Sequence, residues 1–318
     1  MTDLPVVLIH SGRHDDDVEV ARQVAQVYPE MRILTPATEE EVAEHLPGAE
    51  VLFAFYFPYH LLHMATSLRW FQVMGAGLEK LAAAADSLPP GVQVTNLKGV
   101  FGGAMGEYAL TYILAHAQNV RGIVQAQQRR AWDPFTPERI EGATVGVIGL
   151  GSIGQEVVKR CASLGMRVLG LRRSPGSVAG VEQVFTLDQI DEFLPQCDYL
   201  VCVVPQTAET IGLLSRDRLA LLKPSAFVVN MGRGTIFDEA ALYDALKSQR
   251  IAGAALDVFP TEPLPPDSPF WELENVYITP HISGMNRPDD VVRVFLENMQ
   301  RYLAGEPLLY TVDLRRGY

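Results

Sequence analysis

Cysteine is scarce in this chain of 318 residues, with three at positions 161, 197 and 202. The count is odd and no C-x-x-C pair occurs, so a disulfide scaffold is excluded and a reducing, cytoplasmic setting is expected. Positive charge is also short. Twenty-six Lys and Arg stand against 38 Asp and Glu, a formal net charge of -12. A general nucleic-acid binder needs a basic face to displace counterions, so that class is set aside. An anionic small molecule stays open, because screening weakens distant charges beyond about 8–10 Å. No uncharged apolar run approaches the roughly 20 residues of a membrane helix, so no membrane partner is expected. The start, Met1-Thr2-Asp3-Leu4-Pro5, lacks a basic n-region and a long apolar h-region, so no signal peptide is expected. Repeats and low-complexity stretches are missing too. What remains, 48% hydrophobic and 20% charged residues, is the make-up of an ordinary globular protein. The length suggests two domains at about 150 residues each.

Short runs rich in Val, Ile and Phe read as strands at Val6–His10, Arg32–Leu34, Val51–Phe55, Trp70–Met74 and Val92–Thr95. Helical stretches such as Asp17–Val27 and Glu39–His45 separate them. A long helical stretch follows, about Gly103 to Arg130. The alternation then restarts with six more strands: Thr144–Gly149, Arg167–Leu171, Tyr199–Val204, Ala226–Asn230, Ala252–Val258 and Val276–Thr279. A last helix covers about Pro288–Leu303. Strand–helix alternation predicts an α/β fold with two doubly wound parallel-sheet domains. The simplest partition is a discontinuous first domain, residues 1–99 and 286–318, with residues 100–285 inserted, and a ligand cleft between the two.

Gly149-Leu150-Gly151-Ser152-Ile153-Gly154 matches G-x-G-x-x-G, follows a strand and opens the helical pattern Gln155–Leu164. That is the context a dinucleotide fingerprint requires. Gly149 permits the tight turn, Gly151 lets the backbone approach a pyrophosphate, and Gly154 lets helix and strand pack. The phosphates then meet the N–H groups of Ser152 and Ile153 at the helix start. About 20 residues on, where an NAD site places an acidic residue, stands Arg172, followed by Arg173 and Ser174. Arginine offers paired donors to a 2′-phosphate, so NADP(H) is expected over NAD(H). Solvated surface arginines are the plain alternative.

Three further segments end at or just after predicted strands: Asn230-Met231-Gly232-Arg233-Gly234, Asp257 through Pro265, and Thr279-Pro280-His281-Ile282-Ser283-Gly284. With the fingerprint, and with Val204-Pro205-Gln206-Thr207 followed by Thr210, they make the chain resemble the D-2-hydroxyacid dehydrogenase family over nearly its whole length. Arg172-Arg173-Ser174 and the Gly75-Ala76-Gly77 loop resemble its glyoxylate/hydroxypyruvate reductase branch. The resemblance implies a Rossmann cofactor domain inserted in a flavodoxin-like substrate domain, and a homodimer through the cofactor domains. It implies cofactor contacts at Val204, Pro205, Thr210, Met231, Gly232, Ser283 and Gly284. It also places Met105 on a helix start beside the nicotinamide and Asp257 against the carboxamide.

The chemistry can be built from the residues as well. Hydride delivered to a keto carbon leaves negative charge on oxygen that a proton must meet. His281 suits that acid, because imidazole titrates near neutrality. Glu262 orients the ring and favours imidazolium. Arg233 holds the substrate carboxylate and polarises the carbonyl. Backbone N–H groups of Gly75, Ala76 and Gly77 form a cradle for the same carboxylate. Leu78-Glu79 departs from the Val-Asp common after this loop in the family. Phe55, with Tyr56 and Phe57, either walls the pocket or belongs to the core. His60 and His63 have ligand-like spacing without a third ligand, so no metal is expected. The expected activity is reduction of a small anionic 2-oxo acid to its D-2-hydroxy acid. Phosphite oxidation on the same fold and a cofactor-sensing, corepressor-like binding protein are the alternatives. Formate oxidation is disfavoured, because that branch carries Gln where Glu262 stands.

Overall fold

The computed structural model describes residues 4–75, 77–285 and 288–314. The chain divides into two compact units, Met1–Phe101 with Asn286–Tyr318, and Gly102–Met285.

The first unit runs β1 (Val7–His10), α1 (His14–Val27), β2 (Ile33–Leu34), α2 (Glu39–His45), β3 (Val51–Ala54), β4 (Trp70–Val73), α3 (Glu79–Ala83) and β5 (Gln93–Thr95). The second unit runs α4 (Gly102–Ala117), α5 (Val120–Gln128), β6 (Thr144–Ile148), α6 (Ser152–Ser163), β7 (Arg167–Leu171), β8 (Gln183–Phe185), α7 (Ile190–Phe193), β9 (Tyr199–Cys202), α8 (Arg216–Leu219), β10 (Phe227–Asn230), α9 (Glu239–Lys247), β11 (Gly253–Leu256) and β12 (Val276–Ile278). Helix α10 (Pro288–Ala304) returns to the first unit.

In the first unit the strand order is β2-β1-β3-β4-β5, all parallel, the flavodoxin-like winding. Side chains alternate across it. Leu8, Leu52, Phe71 and Val94 share one face and pack with Val42, Leu46 and Leu62. Phe53 points to the other face, where its ring stacks on Phe295 of α10 at 4.3 Å. Helix α2 starts where the Thr38 hydroxyl accepts the Glu41 N–H, with three glutamates in the first turn, a favourable arrangement at the positive helix end.

The second sheet has the order β8-β7-β6-β9-β10-β11-β12, again all parallel. This is Rossmann winding with a seventh strand, and the order reverses between β6 and β9. The α/β expectation of two doubly wound parallel sheets therefore holds. Two details differ. Six strands were expected here and the sheet has seven, the extra one being the short edge strand β8. The helical stretch expected to run unbroken from 103 to 130 is two helices. Asn119 adopts φ 46 and its side chain accepts the Gly122 N–H, which ends α4 and caps α5. Asn tolerates that left-handed conformation better than most residues. Among the described residues no helix is long and apolar enough to cross a membrane.

Candidate active site

The fingerprint turn sits at the C-terminal end of β6. Gly149 has φ +101, and a Cβ there would lie 2.7 Å from the Val203 carbonyl oxygen. A Cβ on Gly154 would lie 1.8 Å from the Gly149 carbonyl oxygen, so α6 can approach the turn only without a side chain. Gly151, the N-cap of α6, faces open space. The first N–H groups of α6, on Ser152 and Ile153, are thus left for a ligand's oxygens. The residues present fit a dinucleotide pyrophosphate.

Beyond β7, Arg172 is half-buried while Arg173 and Ser174 are exposed. Arg173 pairs with Glu209 at 2.8 Å. Sequence reasoning missed this partner, although Glu209 lies one residue before Thr210. The nearby turn is held by Thr210, whose hydroxyl donates to the Pro205 carbonyl at 2.7 Å and accepts the Thr207 N–H at 2.8 Å.

The expected acid–base residues lie along the C-terminal ends of β10, β11 and β12, which are neighbours in the sheet. Backbone packing lets these loops converge. A Cβ on Gly232 would lie 2.9 Å from the Val204 carbonyl oxygen, and one on Gly234 would lie 2.1 Å from the Phe259 carbonyl carbon. Met231 is buried beside them. Between those glycines, Arg233 is half-buried and donates to the Gly232 carbonyl at 2.7 Å. Its own carbonyl accepts from the Asn230 side chain at 3.0 Å.

Glu262 and His281 meet, Oε2 to Nδ1, at 2.7 Å. The other Glu262 oxygen accepts the Phe259 N–H at 2.9 Å. Burial works against the Glu262 carboxylate, but hydrogen bonds from His281 and Phe259 and the charges of His281 and Arg233 carry it below the usual carboxylate range. The Glu262 hydrogen bond raises His281 above the usual imidazole range. Burial opposes this, the charges of Glu262 and Asp257 add to it, and Arg233 subtracts. The pair thus favours imidazolium beside carboxylate, with Nε2 left to carry the transferable proton.

His281 sits at φ 54, an uncommon conformation for a residue with a side chain. Asp257, 1% exposed, explains how it is held. The Asp257 carbonyl accepts the His281 N–H at 2.9 Å. Its carboxylate accepts from the Thr279 hydroxyl at 2.6 Å, the Ile282 N–H at 2.8 Å and the Ser283 N–H at 2.9 Å. Ser283 is buried and Gly284 half-buried. Asp257, expected against the carboxamide, thus has both oxygens turned into the loop that carries His281. Met105 is buried on the first turns of α4, which packs on α6.

The remaining expected residues lie in the first unit. Phe55, after β3, covers the turn after β4 so closely that a Cβ on Gly75 would lie 2.4 Å from its ring. Phe57 belongs to the core, whereas Phe55 and Tyr56 are exposed. Gly77 is half-buried, and Ala76 lies outside the described residues. His63 Nδ1 donates locally to the His60 carbonyl, 2.8 Å away. Among the described residues no group of three potential ligands could hold a metal.

A Rossmann-wound sheet whose fingerprint glycines leave a helix start open defines a dinucleotide-binding domain. Residues 110–283 match the model of the D-isomer specific 2-hydroxyacid dehydrogenase, NAD binding domain. The chain is 33% identical over 266 residues to the glyoxylate/hydroxypyruvate reductase A of Serratia proteamaculans, covering 82% of this chain and 85% of that one. It resembles the crystal structure of a D-isomer specific 2-hydroxyacid dehydrogenase family protein from Aeromonas salmonicida, with a TM-score of 0.91 and 34% identity over 98% of this chain and 99% of that one. A D-isomer specific 2-hydroxyacid dehydrogenase from Xanthobacter autotrophicus, solved with NADPH and MES, matches with a TM-score of 0.89 and 32% identity over 99% and 100% of the two chains. The protein belongs to the D-isomer specific 2-hydroxyacid dehydrogenase family and is an NAD(P)-dependent oxidoreductase.

Proposed function

We propose that this enzyme reduces a small 2-oxo acid of the glyoxylate or hydroxypyruvate type to the D-2-hydroxy acid, with His281 as the general acid. The observation that carries this reading is the 2.7 Å pair of His281 and Glu262 at the sheet's C-terminal edge, beside Arg233. When bound, the reduced nicotinamide supplies the hydride. His281 donates its Nε2 proton to the developing alkoxide. Glu262 holds Nδ1 and keeps the ring charged until the transfer. Arg233 binds the substrate carboxylate and draws electron density from the carbonyl, a demand that suits a planar two-donor cation. On the first unit, Gly75 and Gly77 are the expected N–H donors to a carboxylate, and Phe55 lies over Gly75.

NADP(H) is the preferred cofactor in this reading and NAD(H) the poorer one. Arg172 stands where an acidic residue would repel a 2′-phosphate, and the Xanthobacter relative binds NADPH. Three buried free thiols suit a cytoplasmic setting. Exposed Val120, Ile123, Val124 and Trp132 on the second unit support a homodimer. Steady-state turnover of glyoxylate and hydroxypyruvate with each cofactor tests the whole reading. Loss of NADPH on mixing, dependent on the 2-oxo acid, is expected. Turnover only with phosphite, or cofactor binding without turnover of any 2-oxo acid, would replace it.

A further inference from the structure

A line of hydroxyls, half-buried at Tyr108 and buried at Thr279, ends on the loop that carries His281. The Tyr108 hydroxyl of α4 lies 2.7 Å from Thr279 Oγ1. Thr279 Oγ1 lies 2.6 Å from Asp257 Oδ1 and donates to it. A threonine hydroxyl has one proton. Because that proton goes to Asp257, the Tyr108 hydroxyl must be the donor to Thr279. The direction is therefore Tyr108 to Thr279 to the Asp257 carboxylate. Donors in series polarise one another, so the Tyr108 bond strengthens the Thr279 bond. Thr279 and Asp257 are both nearly inaccessible to water, so water cannot replace a missing partner there without rearrangement.

We propose that Tyr108, acting through Thr279 and Asp257, is a positioning residue for the general acid His281. The inference rests on the reading of His281 as that acid. Asp257 ties down the N–H groups of Ile282 and Ser283 on one side of His281, and Thr279 lies on the other. The three donors fix a buried carboxylate, and through it the loop's left-handed turn at His281. Among the described residues, the charged and titratable groups facing His281 are Glu262, Asp257 and Arg233. Those facing Asp257 are His281 itself, Tyr108 and Tyr112. Of these, only Asp257 is reached by the hydroxyl line. Without that donor the carboxylate no longer fixes the loop as firmly, so His281 is held less well against Glu262 and its imidazolium loses support.

The test is NMR titration of the His281 ring in the intact enzyme, alongside kinetics. The chain has seven histidines, and His281→Gln identifies the resonance. Thr279→Val removes the donor, and its His281 midpoint should fall by about half a pH unit or more. Tyr108→Phe keeps the ring's volume and should shift the midpoint in the same direction by less. Thr279→Ser, which restores the hydroxyl, should bring the midpoint back. For 2-oxo acid reduction, kcat should fall by about tenfold in Thr279→Val, with KM for the oxo acid changing less than kcat. If Thr279→Val fails to fold, Tyr108→Phe carries the test. Coincident His281 midpoints in the wild type and the folded variants would overturn the proposal. A wild type that turns over no 2-oxo acid would overturn the functional reading instead, and the titration would still decide whether the hydroxyl line reaches His281.

Discussion

Replacing Glu262 with Gln removes one charge from the acid–base pair and leaves its shape. The Gln carbonyl can still accept the His281 Nδ1–H, so the ring stays oriented while imidazolium loses its counter-charge. Two unit charges 4 Å apart attract by about 1 kcal/mol in water and about 4 kcal/mol at an effective dielectric of 20. The His281 side chain is 47% exposed and that of Glu262 35%, so solvent screening holds the effect near the lower figure. About 1–1.5 kcal/mol corresponds to about one pH unit. The sign follows from the raised His281 value: the acid form persists to higher pH in the wild type than in the variant. Reduction therefore loses its acid earlier in Glu262→Gln, and the alkaline limb of the profile moves down by about one pH unit. The assay is kcat/KM for the 2-oxo acid at saturating NADPH from about pH 5 to 10, because this ratio reports groups of the form that binds substrate. Superimposed alkaline limbs would refute the coupling of Glu262 to His281.

Arg233→Ala should lower kcat/KM for reduction by at least about 30-fold, the low end of what truncating one partner of a hydrogen-bonded charge pair costs, and Arg233→Lys should recover little of it, since a point charge cannot form the two-bond clamp. Near-normal kinetics in the Ala variant would remove Arg233 from the mechanism. Arg172→Asp should turn a preference for NADPH of at least about tenfold into a preference for NADH, chiefly through KM, because the 2′-phosphate is remote from the reacting carbon. Arg173→Ala should change the ratio less, because Arg173 is already engaged by Glu209. Equal kcat/KM for the two cofactors in the wild type would count against the assignment.

Where local signals are strong, the fold is legible in the sequence. Val145 to Ile148 followed by three spaced glycines reads as a strand and a tight turn, because Gly149 and Gly154 leave no room for a side chain. The break at Asn119 was not legible, since the helical pattern continues across it and only the left-handed backbone with the Gly122 contact marks the cap. Strand β8 was missed because Gln183-Val184-Phe185 is three residues long at a sheet edge, too short for a period to show. At the site, Arg233, Glu262 and His281 stand in segments whose residue types suggest their tasks. The inward turn of Asp257 was hidden, because its donors lie 22–26 residues away and meet it only once β11 and β12 pair. Glu209 was hidden for the same reason, 36 residues from Arg173.

The central claim, that His281 is the acid in 2-oxo acid reduction, is tested most directly by kcat for glyoxylate with saturating NADPH in wild type and His281→Ala. A loss of about 10²–10⁴-fold is predicted, the usual worth of a positioned general acid, with NADPH binding by fluorescence unchanged because His281 is not placed among the fingerprint contacts. A His281→Ala enzyme that binds NADPH and reduces glyoxylate at the wild-type rate would contradict the account.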